Sequence, residues 1–280
     1  GTSYKSSHAE AISKSEPYYG FTMVTNNNDF FDATRSEDEI GLMLSRHTSI
    51  SLKNVATKNQ TINNHSMSVY ADNTQDTAQH VAILNRKSLE IEQHLFNWGP
   101  LSVSGKVGRG ELELKYSGAS HQEKSSFGIQ SSSSSSSSLL NPAVNELTVL
   151  GLKIDAKVGK KTQLTIAREM LNAPLSYTVI TTGSGAGSKD ISTKIEEINN
   201  YIEIKRAVNK NLRIIGGYSN YETQMPTDAA STINNTRRVG TLSLGAEYDV
   251  KKLGTFTFSV DKNIKGTGPD TFRAGFVIKH

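Results

Sequence analysis

Histidine side chains can bind metals and act as catalytic bases, but the spacing of the seven histidines matches no known metal-binding or catalytic motif. They stand at positions 8, 47, 65, 80, 94, 121 and 280, so the chain has no HExxH sequence and no histidine pair at metal-ligand spacing. It also has no cysteine, which excludes a disulfide framework and thiolate metal sites. A Ser–His–Asp arrangement stays open in a chain this rich in serine, but no nucleophile-elbow sequence is present. We predict a protein that is not an enzyme and that carries no cofactor and no metal.

Two other segments have residue types that could hold a phosphate or an ion. GSGAGSKD (183–190) lacks the GxxxxGKS or GxxxxGKT spacing of a phosphate-binding loop, so a flexible loop is favoured. Residues 26–39 carry acids that could bind calcium: Asp29, Asp32, Glu37, Asp38 and Glu39. They do not match the EF-hand pattern, and a solvated acidic loop is the preferred interpretation. The unbroken serines of 131–138 predict a mobile loop tip.

Composition limits the class of protein more than it limits the partner. Hydrophobic residues make up 35% of the chain, mean hydropathy is −0.44, and no run approaches the ~18 apolar residues of a membrane helix. The polar start, GTSYKSSHAEAISKSEP, has no charged-then-apolar leader, which predicts that any export signal has already been removed. The net charge of +4 comes from interspersed residues of both signs, so we predict no nucleic-acid partner.

The elements that must position any site follow an alternation of period two. In VGTLSLGAEYDVKKLGTFTFSVDKN (239–263), apolar and polar side chains occupy alternate positions on both sides of the KKL turn. Successive side chains of a strand point to opposite faces, so such a ribbon is apolar on one side and polar on the other. Similar segments predict strands at 19–25, 39–47, 49–56, 65–71, 80–85, 88–96, 101–107, 111–118, 147–158, 162–170, 201–208, 211–220, 239–250, 254–261 and 271–280.

The connections between these strands alternate in length through the second half of the chain. Short turns are predicted at 108–110, 159–161, 209–210 and 251–253, and long loops at 119–146, 171–200, 221–238 and 262–270. All tight turns then lie at one end of the sheet and all long loops at the other. An up-and-down barrel of the bacterial outer membrane sorts its connections in this way, whereas a sandwich with Greek-key crossovers does not.

The last strand and the 239–263 hairpin resemble those of Gram-negative porins. In TFRAGFVIKH (271–280), the apolar face is formed by Phe272, Ala274, Phe276 and Ile278, and the chain ends in His280. The resemblance covers about residues 100–280 and implies an all-β, antiparallel, up-and-down transmembrane barrel of about 14 strands, with 12 to 16 open because single-chain bacterial barrels have even numbers. Residues 19–280 would form this one domain, and 1–18 a polar arm or plug. One predicted strand would lie outside the wall, and 19–25 is the candidate for a plug.

In such a barrel the polar face of each strand encloses the lumen and the apolar face meets lipid. The charged residues predicted to line the pore are Lys106, Glu111, Glu113, Lys115, Lys153, Asp155, Lys157, Glu169, Glu203, Lys205, Arg213, Glu247 and Arg273. Two features oppose this interpretation. Aromatic residues make up only 7% of the chain, with a single Trp, whereas membrane barrels usually carry aromatic girdles. Arg168 and Arg206 fall on the apolar face, and each would destabilise the barrel by about 2–4 kcal/mol at the lipid midplane.

The predicted function is passive diffusion of small hydrophilic solutes through a channel in the bacterial outer membrane, after export. Its partners would be membrane lipid and the solutes, with a homo-oligomer left open. Segments 119–146 and 171–200 are the candidates for a constricting loop. The inward acids and bases balance too closely to predict an ion preference, although the net charge of +4 leans slightly towards anions. The alternative is a non-catalytic, extracellular β-sheet subunit of a surface or filament, in which the apolar faces pack sheet on sheet.

Overall fold

The chain is an all-β structure in every part that the computed structural model describes, namely residues 16–26, 29–226, 234–266, 268 and 270–279. None of these residues forms a helix long and apolar enough to span a membrane. The strands are β1 (Glu16–Asn26), β2 (Asp29–Met43), β3 (Thr48–Val69), β4 (Asp72–Trp98), β5 (Leu101–Ser126), β6 (Ile129–Leu139), β7 (Ala143–Val158), β8 (Thr162–Gly183), β9 (Gly187–Ala207), β10 (Leu212–Pro226), β11 (Asn234–Val250), β12 (Gly254–Lys265) and β13 (Thr271–Lys279).

The sheet closes on itself because its first and last strands pair. Strand β1 runs antiparallel to β13 from Tyr18↔Lys279 to Asn26↔Thr271, and each other strand pairs antiparallel with its neighbours. Strands β6 and β7 share one place in the wall, since both lie between β5 and β8. The break between them contains Pro142, which has no backbone N–H to donate. The predicted up-and-down barrel is confirmed, with twelve positions around the ring.

The structure has fewer strands than the sequence predicts, because in three cases two neighbouring predicted segments belong to one long strand. Segments 49–56 and 65–71 both lie in β3, 80–85 and 88–96 in β4, and 101–107 and 111–118 in β5. The turn predicted at 108–110 is wrong. A Cβ at Gly110 would stand 1.8 Å from the Lys87 carbonyl oxygen. This glycine therefore allows β4 and β5 to approach each other closely and does not form a turn.

Residues 19–25 are not a plug, because they lie in β1 and pair with both β2 and β13. Residues 16–18 of the predicted arm also belong to β1. Residues 1–15 and the terminal His280 lie outside the described residues.

The two ends of the barrel differ in how far the strands extend beyond the ring, while tight turns occur at both ends. One end, the short-turn end, carries the connections 44–47, 99–100, 159–161, 208–211 and 251–253. At the opposite, long-hairpin end, the segments 119–146 and 171–200 were predicted to be loops, and they are mostly strand in the structure. Phe127 and Gly128 both have positive φ, 49° and 79°, the conformation of a two-residue turn that keeps a hairpin paired to its tip. The serine tract lies in β6 and pairs with β5, so the prediction of a mobile tip is wrong.

An apolar belt surrounds the barrel towards the short-turn end. The belt consists of outward side chains that alternate with buried or half-buried ones, among them Leu42, Leu52, Leu89, Val107, Leu150, Leu152, Ile166, Ile202, Ile204, Ile214, Leu244, Phe256 and Phe258. An exposed apolar surface of this extent on a closed barrel is the surface that meets lipid. Arg206 donates to Thr162 Oγ1 (3.0 Å) at the edge of the belt beside the short turns, where a charge costs little. Arg168 lies within the belt, opposite Leu152 and Asn200.

Strands β4, β5, β7, β8 and β9 continue beyond the belt. In this part their inward side chains are apolar and their outward side chains are mostly polar, the reverse of the belt. Inward positions there are apolar and packed together: Leu84, Leu112, Leu114, Tyr116, Ala143, Leu147, Val149, Leu171, Ala173, Leu175, Tyr177, Val179, Ile191 and Ile195. Outward positions carry polar groups such as Arg109, Glu146 and Asn172. We call this part (72–86, 110–147 and 171–196) the hairpin extension. Its polar outside and apolar inside are the arrangement of a sheet in water.

We expect Leu244→Arg to destabilise the barrel, because it places a charge in the middle of the belt. The free energy of unfolding, measured by urea titration in lipid vesicles, should fall by about 2–4 kcal/mol. Ser176→Arg is the matched control, since Ser176 is exposed on the outside of the hairpin extension, and it should change little. Equal losses for the two variants would contradict the placement of the belt.

Candidate pore interior

The interior at the level of the belt is filled by charged side chains that the strand alternation points inward. Lys153, for example, lies between the outward residues Leu152 and Ile154 on β7. Its Nζ is 3.2 Å from Glu92 Oε1 and 3.4 Å from Asp155 Oδ2. Strands β4 and β7 are separated by β5, so the Lys153–Glu92 pair connects strands that are not neighbours.

Lys106 has the central place in this network. Its Nζ is 2.9 Å from Glu169 Oε1 on β8 and 3.8 Å from Glu90 Oε1 on β4. Removing the shared base from a buried ion-pair network leaves uncompensated charge behind. Lys106 therefore connects three parts of the wall by charge.

A cavity of about 30 Å³ lies beside this network. It is lined by residues of eight strands, including Tyr18, Glu39, Lys53, Glu90, Lys106, Glu169 and Tyr201. A space of this size holds about one or two water molecules. The wall's own side chains therefore constrict the lumen.

A second network lies next to the first around the ring, on strands β9, β10 and β11. Glu247, which is 1% exposed, accepts from Lys205 Nζ (2.9 Å) and Arg213 Nε (2.8 Å). Both terminal nitrogens of Arg213 also donate hydrogen bonds to the carboxylate of Asp249, each 2.7 Å long. A two-pronged arginine–carboxylate pair of this kind is among the strongest and most directional ion pairs in proteins.

Further pairs continue the charged lining around the ring. Arg273 Nη2 is 2.8 Å from Asp261 Oδ2, and Lys53 Nζ is 3.1 Å from Glu37 Oε1. Arg86 on β4 lies 3.8 Å from Glu197 on β9.

Most of the residues predicted to line the pore do face the interior. Those that are buried or half-buried there are Lys106, Lys153, Asp155, Glu169, Glu203, Lys205, Arg213, Glu247 and Arg273. Lys157 has the same phase on β7 but is exposed beside the short turns.

The prediction is wrong for Glu111, Glu113 and Lys115, which point outward on the hairpin extension. The sequence pattern predicts two strands separated by GRG, each with its charged side facing the lumen. Because β5 is continuous, Lys106 shares its face with Leu112 and Leu114, and the charged residues between them fall on the other face.

Several interior residues were missed as pore residues. Glu37 and Glu39 were assigned to an acidic loop, but they point inward from β2 while Asp38 occupies the opposite phase. Their alternation with Ser36, Asp38 and Ile40 was the signal that could have found them. Carboxylates on opposite faces do not converge on one ion, and the described residues contain no group of three or more metal-ligating side chains. The side chains of Asp29 and Asp32 lie outside the described set.

The other candidate segments are separate from the charged interior. Residues 183–190 form the β8–β9 hairpin, with a turn at 184–186 and no following helix. His80 Nδ1 lies 2.6 Å from Tyr116 Oη in the hairpin extension. His121 Nδ1 lies 2.7 Å from Ser134 Oγ on the exposed surface.

Comparison with known proteins relates the chain to solved barrels. No family model and no curated protein matches the sequence. Among solved structures, the CymD monoaromatic hydrocarbon channel matches with a TM-score of 0.52 at 9% identity, over 99% of this chain and 90% of that one. The chain has the fold of an outer-membrane β-barrel. Similar structures also include the translocator domain of autotransporter NalP from Neisseria meningitidis (TM-score 0.44, 10% identity, 98% and 92% covered) and the Ralstonia pickettii toluene transporter TbuX (0.43, 10%, 96% and 90%).

The inward and outward positions on β5 can be tested by cysteine labelling, since the natural chain has no cysteine. We expect Lys115→Cys to react rapidly with a charged maleimide in the folded barrel, because Lys115 is exposed on the outer face. The neighbouring variant Leu114→Cys should react slowly, because Leu114 is 7% exposed inside the extension. Faster labelling at position 114 would show that β5 has the opposite phase.

Lys106→Met should destabilise the barrel, because Glu90 and Glu169 would lose the base that they share. Breaking a buried pair typically costs about 3–5 kcal/mol, and urea unfolding in vesicles measures the loss. Lys115→Met removes the same charge from an exposed pair with Glu113 (3.3 Å), where a loss below about 1 kcal/mol is expected. Similar losses for the two variants would argue against a buried network.

Proposed function

We propose that this barrel is a narrow outer-membrane channel for passive diffusion of small hydrophilic solutes. The observation that supports this proposal is the closed ring, with an apolar belt outside and a charged lining inside. Lipid offers no hydrogen bonds, so a β structure can span it only when all of its backbone groups are paired around the ring. The charged lining then provides the polar path through the bilayer.

The orientation in the membrane follows from the two ends. Bacterial barrels place their short turns in the periplasm and their longer connections outside the cell. The hairpin extension, polar on its outer surface, would therefore project from the cell surface.

The charged constriction sets the expected size of the solute. Lys106, Glu90 and Glu169 have long side chains that can change rotamer, and water and small ions would pass when these pairs rearrange. The cavity beside them, of about 30 Å³, is far smaller than a sugar. We therefore propose a channel of small conductance, in contrast to a wide general pore.

Two other functions have less support from the geometry. A filament subunit was expected to pack sheet on sheet, whereas β1 and β13 close one sheet into a ring. CymD is described as a monoaromatic hydrocarbon channel, and the apolar inside of the hairpin extension would suit such a molecule. The ion pairs at the level of the belt would oppose its passage, and this favours hydrophilic solutes.

Single-channel recording in planar lipid bilayers tests the proposal. The natural barrel should give small unit steps, and Lys106→Ser/Glu169→Ser, which shortens two side chains of the constriction, should enlarge them several-fold. The matched control is Lys115→Ser/Glu113→Ser, which removes an outer pair and should leave the steps unchanged. Heat-modifiable migration in SDS verifies that each variant is folded. If folded natural and widened barrels are both silent, the channel proposal is wrong.

A further inference from the structure

Carboxylates outnumber bases in the interior of the barrel. The acids that are buried or half-buried there are Glu37, Glu39, Glu90, Glu92, Asp155, Glu169, Glu197, Glu203, Glu247, Asp249 and Asp261. The bases are Arg35, Lys53, Arg86, Lys106, Lys153, Lys205, Arg213 and Arg273. Within the described part of the chain, the constricted interior therefore has an excess of three negative charges.

This sign is opposite to that of the whole chain, whose net charge is +4. The surplus positive charge lies on the outer surface, in the turns and at the rims, as with Lys157 beside the short turns and Arg237 towards the long hairpins. Exposed charges act over about one Debye length, which is ~8 Å at physiological ionic strength. Charges inside a channel with low-dielectric walls act more strongly on a passing ion. The interior charge should therefore decide which ion passes.

The pairing of the bases adds to this preference. Each interior base contacts a carboxylate, as Lys53 does with Glu37 (3.1 Å), Lys205 with Glu247 (2.9 Å) and Arg273 with Asp261 (2.8 Å). An anion that enters would compete with these carboxylates for the same donors. A cation meets more carboxylates than bases, so the net field of the interior attracts it.

We propose that the interior selects small cations over anions. This inference rests on the proposed channel function and adds its substrate class. Selectivity would come from rings of acidic side chains, as it does in cation channels. The cavity of about 30 Å³ is lined by four carboxylates, Glu39, Glu90, Glu92 and Glu169, and we assign the selection to it.

The test measures the reversal potential of single channels under a KCl gradient. The natural barrel should show a K⁺ to Cl⁻ permeability ratio several-fold above one. The variant Glu92→Gln/Glu169→Gln removes two interior charges with almost no change of shape, and Lys153 and Lys106 each keep a second carboxylate, Asp155 at 3.4 Å and Glu90 at 3.8 Å. Its permeability ratio should fall at least two-fold.

The matched control is Glu111→Gln/Glu146→Gln, which removes the same two charges from exposed outer positions. It should keep the natural ratio, since these carboxylates do not face the path. A natural ratio at or below one, or equal ratios in both double variants, would overturn the inference while leaving the channel in place. Absence of conductance from every folded barrel would overturn the channel itself. The natural ratio decides the question even if the interior variant does not fold.

Discussion

The pairing of β1 with β13 is the constraint on which the rest of the molecule depends. Once the ring is closed, each wall strand in the bilayer has a partner on both sides, which is the condition for β structure in lipid. Closure also gives the alternating faces their meaning, because one face must then enclose a lumen and the other must meet the surroundings. The apolar belt and the charged interior are both consequences of that division.

A ring of twelve positions is narrow enough for long side chains to meet inside it. Lys106 reaches from β5 to β4 and β8, and Arg86 on β4 approaches Glu197 on β9. The interior is therefore both polar and largely filled. Each lysine or arginine inside the ring contacts a carboxylate, and the carboxylates there outnumber the bases.

The hairpin extension shows the same backbone alternation in a different solvent. On β5, Lys106 and Leu114 point the same way, yet one lies in the charged constriction and the other in an apolar core. The phase of the strand does not change between them; what changes is whether lipid or water lies outside. Glycines inside this strand allow the close approach of β4, where a sequence pattern alone suggests a turn.

The sequence by itself determined the fold class, several of the short turns and about half of the interior charges, since period-two patterning and tight turns such as KKL are local signals. Only the tertiary structure decided the outward position of Glu111, Glu113 and Lys115, the strand character of the serine tract, and which charges pair. The physical reason is that a pattern divides a strand into two faces without specifying what each face meets. Closure of the ring and the height of the bilayer supply that information, and both depend on contacts between residues far apart in the chain.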